Sequence, residues 1–245
     1  MIKIKTFLNK EEMFDFNITN NIICIGFFEG IHKMHKKIIL ETKNISKLEK
    51  STSSIITFSE KISDFLNKKS NNFQSKEHKY NLIEKKYNPD FLFEIQVNNE
   101  IIKKSPEEFC DFLKTKLSVK KIVVGSDFRF GFKNEGDINF LQNYFGKSNI
   151  IVFERVVGIS STLIRENISL GNIDKVKQIL GENLTVSLKK VGKNKYLIQD
   201  FNITLAKGVY LIKIQKELRK VKIIENIVHF NYLNEFLEIE ILEKL

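Results

Sequence analysis

The sequence has no tryptophan, two prolines and two cysteines among 245 residues. Two cysteines cannot build a disulfide framework. Cys24 lies in the apolar run Ile22–Ile25, where a thiol behaves as a small buried hydrophobe, so the expected compartment is the reducing cytoplasm. With prolines only at Pro89 and Pro106 and eleven glycines, collagen-like and proline-rich linker segments are excluded. Any motif that needs proline elsewhere is excluded too. No apolar stretch approaches the ~20 residues of a membrane span. The N-terminal segment Met1-Ile2-Lys3-Ile4-Lys5-Thr6 alternates apolar and charged residues and has no signal-peptide core.

What is present is 42% hydrophobic and 29% charged, a globular composition. The net charge is +10, which raises the question of a polyanionic partner. Lysine, asparagine, isoleucine and phenylalanine are abundant together, however, as AT-rich codons would supply them. The basic clusters Lys33–Lys37 and Lys216–Lys222 are short, and no nucleic-acid recognition motif accompanies them. Small-anion binding is the better expectation.

Short β-branched runs recur at Ile22–Ile25, Ser54–Phe58, Phe91–Ile95, Ile122–Val124 and Ile150–Phe153, each bounded by Gly, Asn, Ser or Lys, and read as buried strands. Helical spacing follows between them. His35–Lys47 puts Ile38, Ile39, Thr42 and Ile45 near one face. Ser105-Pro106-Glu107-Glu108 opens a second helix with a cap, a first-turn proline and an acid at the third position. A last helical stretch runs from Ser161 to Leu180, interrupted at Gly171-Asn172. Alternation of this kind predicts an α/β fold with a parallel sheet. Beyond Gly181 the pattern becomes all-strand, at Thr185–Leu188, Tyr196–Ile198, Val209–Ile214, Lys222–Val228 and Phe236–Leu242. Two domains are expected, residues 1–183 and a small β domain at residues 184–245. The second is near the lower size limit for independent stability and is expected to lean on the first.

In such sheets ligands bind beyond the carboxyl ends of the strands, so the segments that follow each strand matter most. After Ile25 comes Gly26-Phe27-Phe28-Glu29-Gly30-Ile31-His32-Lys33-Met34-His35. Glycines at a strand-to-helix turn let backbone N–H groups approach an anion, and His32 and His35 fall on one side of the first helical turn. Imidazoles there could serve phosphate, or be a metal pair for which no further ligands stand nearby in sequence, or be two solvated surface histidines. After Val124 comes Gly125-Ser126-Asp127-Phe128-Arg129-Phe130-Gly131. This is either a glycine turn with core aromatics or a flat pocket with Asp127 and Arg129 as polar edges. After the fifth run, Ser160-Ser161-Thr162 precedes Arg165 by one turn. A cap needs one hydroxyl; the others could donate to phosphates, with the arginine bridging oxygens.

These three segments, in this order, together resemble the bacterial FAD synthetase family (FMN adenylyltransferase), usually fused to a C-terminal riboflavin kinase. The resemblance covers about residues 1–183. It implies a Rossmann-like nucleotidylyltransferase fold and the reaction of ATP with FMN to give FAD and pyrophosphate, with Mg2+ arriving on ATP. It implies that His32, His35 and Arg165 are catalytic. Gly26, Phe27, Phe28, Gly30, Ser160, Ser161 and Thr162 would bind ATP. Asp127, Phe128, Arg129, Phe130 and Gly131 would line the flavin and adenosine pocket. No protein-held metal is implied, and small molecules rather than membranes or nucleic acids are the expected partners. The chain departs from the family at Met34, where the family has glycine, at Glu29, where it has aspartate, and at Phe27. The family's Pro-His-Pro is replaced by Ser59-Glu60-Lys61, and the proline-containing kinase loop is absent after Pro106. Glu238 falls where a kinase base would stand, but without that loop it reads as a solvated strand residue. The small β domain is therefore expected to be a degenerate kinase barrel without kinase activity. The alternative is a flavin- or nucleotide-binding protein with weak or absent turnover.

Overall fold

The computed structural model describes residues 1–8, 14 and 18–245. The chain divides into two compact units. One comprises Met1–Phe28, Met34–Lys69 and Leu82–Val156; the other comprises Glu29–Lys33, Ser70–Asn81 and Val157–Leu245.

In the first unit the five predicted runs pair as parallel strands with a sixth at the N-terminus: β1 Ile2–Thr6, β2 Asn21–Ile25, β3 Ser53–Phe58, β4 Phe91–Ile95, β5 Val119–Gly125 and β6 Ile150–Phe153. Their order among the described residues is β1-β4-β3-β2-β5-β6. From β2 the chain steps outward through β3 to β4, then returns to place β5 on the other side. The order thus reverses between β2 and β5, which opens a crevice at their carboxyl ends. The α/β parallel sheet is as the sequence predicts. The edge strand β1 is an addition, and its alternation of Ile and Lys is its signal.

Helices follow the strands: α1 Lys33–Leu48, α2 Ile62–Asn67, α3 Lys76–Lys86, α4 Pro106–Thr115 and α5 Ile138–Phe145. Alternate strand residues serve opposite faces of the sheet. Ile23, Ile25, Ile122 and Val124 share a core with Phe109, Phe112 and Leu113 of α4. Cys24 points the other way and meets Thr42 of α1. Each such side chain contributes roughly 1.5–3 kcal/mol by leaving water. Buried Asn21 holds the register of the sheet: its amide donates to the Leu117 carbonyl at 3.2 Å and its oxygen accepts from Ser54 Oγ at 2.8 Å. The start of α4 is the predicted capping box, with Ser105 accepting from the Glu108 N–H and Glu108 accepting from the Ser105 N–H.

In the second unit, α6 Ser161–Leu170 and α7 Ile173–Leu180 break at Gly171, as predicted. They share one core with an antiparallel closed barrel. Its strands are β7 Leu184–Gly192, β8 Lys195–Ile198, β9 Gly208–Ile214, β10 Glu217–Ile224, β11 Ile227–His229 and β12 Phe236–Lys244, in the circular order β10-β11-β8-β7-β12-β9. The strand predicted over Lys222–Val228 is instead the hairpin of β10 and β11. Glu225 and Asn226 turn it at φ 51° and 61°, a left-handed pair that asparagine tolerates. The Asn226 side chain then fastens the neighbouring segment, donating to the Ile203 carbonyl and accepting from the Leu205 N–H. A polar knot, His78–Asp200, is buried in the same unit at 3.3 Å. Asp200 also accepts from the backbone N–H groups of Ser75 and Ser187.

Candidate active site

The turn leaving β2 is held against its own preference. Phe28, Gly30 and Ile31 have φ of 55°, 71° and 43°, left-handed values that bulky residues avoid. Strain of this kind persists where surrounding contacts over-determine it, and it gathers at ligand sites. Phe28 is fully buried, its ring lies over Gly26, and it meets the His35 ring edge-on at 5.2 Å. His32 is buried at the residue before α1, and His35 sits in the first turn of α1. Met34 lies in regular helix with no positive φ, and its side chain is buried. Backbone conformation therefore makes no demand for glycine at this position.

A cavity of about 260 Å³ opens in the first unit at the carboxyl ends of its strands. It brings together six predicted residues: Gly26 and Phe27 after β2, and Phe128, Arg129, Phe130 and Gly131 after β5. Phe128 and Phe130 stack nearly parallel, with ring centres 5.5 Å apart. Gly131, at φ 73°, lies against Pro106, where an added Cβ would stand 2.8 Å from the proline ring. Asp127 is not among the lining residues; it is exposed, with Arg155 3.8 Å away. Sequence reasoning missed Lys61 and Lys104, which also line the cavity. Lys61, in the stretch that replaces Pro-His-Pro, holds its ammonium 5.1 Å from the centre of the Phe27 ring. Its signal was positional, because Ser59-Glu60-Lys61 follows the carboxyl end of β3.

A second cluster forms within the other unit. Buried Glu29 accepts from Arg165 Nη1 at 2.6 Å and from the Phe73 N–H at 3.0 Å. Its carbonyl accepts from Ser161 Oγ at 3.1 Å. Arg165 Nη2 donates to Thr162 Oγ1 at 3.0 Å, and Ser160 caps α6 by accepting from the Leu163 N–H. The three hydroxyls thus have three tasks: a cap, a tether and a rest for the guanidinium. Gly30 stands beside Glu29, its N–H donating to Gln74 Oε1 at 2.9 Å. Glu29, where the chain departs from the family pattern, organises this cluster. Among the described residues, no three His, Cys, Asp or Glu side chains gather as a metal site.

A parallel sheet that reverses its order, with an aromatic cavity carrying basic residues at its strand ends, fits a nucleotidyltransferase-type enzyme. A family model described as FAD synthetase matches residues 16–162, more than half of the chain, and the chain belongs to that family. It is 29% identical over 215 residues to the bifunctional riboflavin kinase/FMN adenylyltransferase of Buchnera aphidicola subsp. Acyrthosiphon pisum, over 80% of this chain and 69% of that one. It is 28% identical over 168 residues to a FAD synthetase of Listeria monocytogenes, over 65% of this chain and 68% of that one. The crystal structure of a protein named a macrolide-efflux protein, from Streptococcus pneumoniae, aligns over 100% of this chain and 91% of its own at TM-score 0.82 and 21% identity, a likeness of fold. Among the described residues, no helix is long and apolar enough to cross a membrane.

Proposed function

We propose that the chain is an FMN adenylyltransferase. A phosphate oxygen of FMN attacks the α-phosphorus of Mg2+–ATP, the bond from that phosphorus to the β-bridging oxygen breaks, and FAD and pyrophosphate leave. The cavity carries this reading: stacked Phe128 and Phe130 suit a flat ring, and Lys61, Lys104 and Arg129 suit its anionic phosphate. Gly131 completes the flavin and adenosine contacts in the cavity, Asp127 stands outside it at the exposed edge, and Phe27 belongs to the ATP contacts. Gly26, Phe28 and Gly30 shape the nucleotide pocket. His32 and His35 stabilise charge developing at the α-phosphate, while Ser160, Ser161, Thr162 and Arg165 hold the phosphates that depart. Such a reaction needs positioning and charge neutralisation more than covalent help. Mg2+ arrives largely on phosphate oxygens and water. The proposed compartment is the cytoplasm.

We further propose that the adenylyltransferase part ends near residue 183 and that the barrel has lost riboflavin kinase activity. No proline follows Pro106 to build the kinase loop, and Glu238 is an exposed strand residue. A second reading, a flavin- or nucleotide-binding protein with slow or no turnover, is favoured by the absence of histidine from Ser59-Glu60-Lys61. Incubation with FMN, ATP and Mg2+, beside a riboflavin arm, separates the two. FAD from FMN and none from riboflavin is expected, with His32→Ala slower by about 100-fold. Saturable binding of FMN and ATP without product would establish the second reading.

A further inference from the structure

We propose that Glu29 is a positioning residue that fixes the Arg165 guanidinium for the departing pyrophosphate; the inference rests on the adenylyl-transfer reading above. Its carboxylate is 2% exposed, a costly place for charge unless every lone pair is used. One oxygen takes Arg165 at 2.6 Å and the other takes the Phe73 N–H. The same residue's carbonyl takes Ser161 Oγ at the start of α6, so one residue sets both the arginine and the helix that carries it. Arg165 is fastened at its second amino nitrogen by the exposed hydroxyl of Thr162. The guanidinium is therefore anchored on both sides at the edge of solvent, with N–H donors remaining for phosphate oxygens. A buried pair that served only stability would not need its cation left partly exposed and held by a further hydroxyl.

Glutamine at position 29 keeps the shape and the bond to Phe73 while removing the charge. The expected result for Glu29→Gln in FAD formation is a fall of about 100-fold in kcat/KM for Mg2+–ATP, the cost of a misplaced binding group, with KM for FMN unchanged. Arg165→Ala should match it. The double variant should be no slower than Arg165→Ala alone, because one residue acts through the other. An additive loss in the double variant, or unchanged ATP parameters in Glu29→Gln, would overturn the assignment. If Glu29→Gln fails to fold, Glu29→Asp keeps the charge with a shorter reach and is read by the same cycle. Calorimetric binding of Mg2+–pyrophosphate separates this inference from the reading beneath it. A wild type that makes no FAD, yet binds Mg2+–pyrophosphate in a manner lost in Glu29→Gln, would defeat adenylyl transfer and keep Glu29 in its role. A wild type that makes FAD, with equal pyrophosphate binding in the variant, would do the reverse.

Discussion

At Gly30 one methyl group decides whether the turn after β2 can close. Its φ is 71°, and an added Cβ would stand 2.4 Å from the Phe73 ring. Gly30→Ala is expected to cost about 2–4 kcal/mol through left-handed strain and overpacking. Urea unfolding would register it, and an unchanged midpoint would contradict the geometry. Asp200 makes a second prediction. Burial pushes its carboxyl up, but the hydrogen bond and charge of His78, with Ser75 and the Ser187 N–H, outweigh burial and hold it below 3.8. A carboxylate depressed on folding stabilises fully above its unfolded value and loses that stabilisation as pH falls through its folded value. Asp200→Asn should therefore cost about 3–5 kcal/mol near neutrality. Its gap to the wild type should narrow only below about pH 3.8. A gap that closes between pH 7 and 5 would contradict the sign. Glu29 could not be valued from the sequence, because its worth comes from Arg165, 136 positions away.

Among the elements, those specified by local chemistry were legible. Ser105, Pro106 and Glu108 wrote the start of α4 within four residues, and Gly171 wrote the break between α6 and α7. Ser105→Ala should cost about 1 kcal/mol in unfolding free energy, the usual worth of a cap. A loss within error would mean the capping box bears no load. Less legible were elements whose reason lies elsewhere. β1 is an edge strand that exists by pairing with β4. The hairpin of β10 and β11 turns on Glu225-Asn226, without the glycine that usually advertises such a turn. Its asparagine is chosen as much for its bonds to Ile203 and Leu205 as for its φ. In the candidate site, Phe128 to Gly131 were readable because they follow a strand in a fixed motif. Lys104 was not, because no motif ties it to the cavity.

At the scale of the whole molecule, scarce proline has proved more informative than net charge. Pro106 is spent at a helix start and against Gly131. Proline is missing from the loop after β3, where Lys61 now lines the cavity, and from everything beyond residue 106, where a barrel closes without it. The charge of +10 favours encounter with anionic substrates in a general way. The proposed reaction is one group transfer, so the fate of the α-phosphorus tests it most directly. With FMN and Mg2+, ATP labelled at the α-phosphate should pass its label into FAD, and ATP labelled at the γ-phosphate should release it as pyrophosphate. Label that never enters FAD, with FMN recovered intact from the folded protein, would contradict the account.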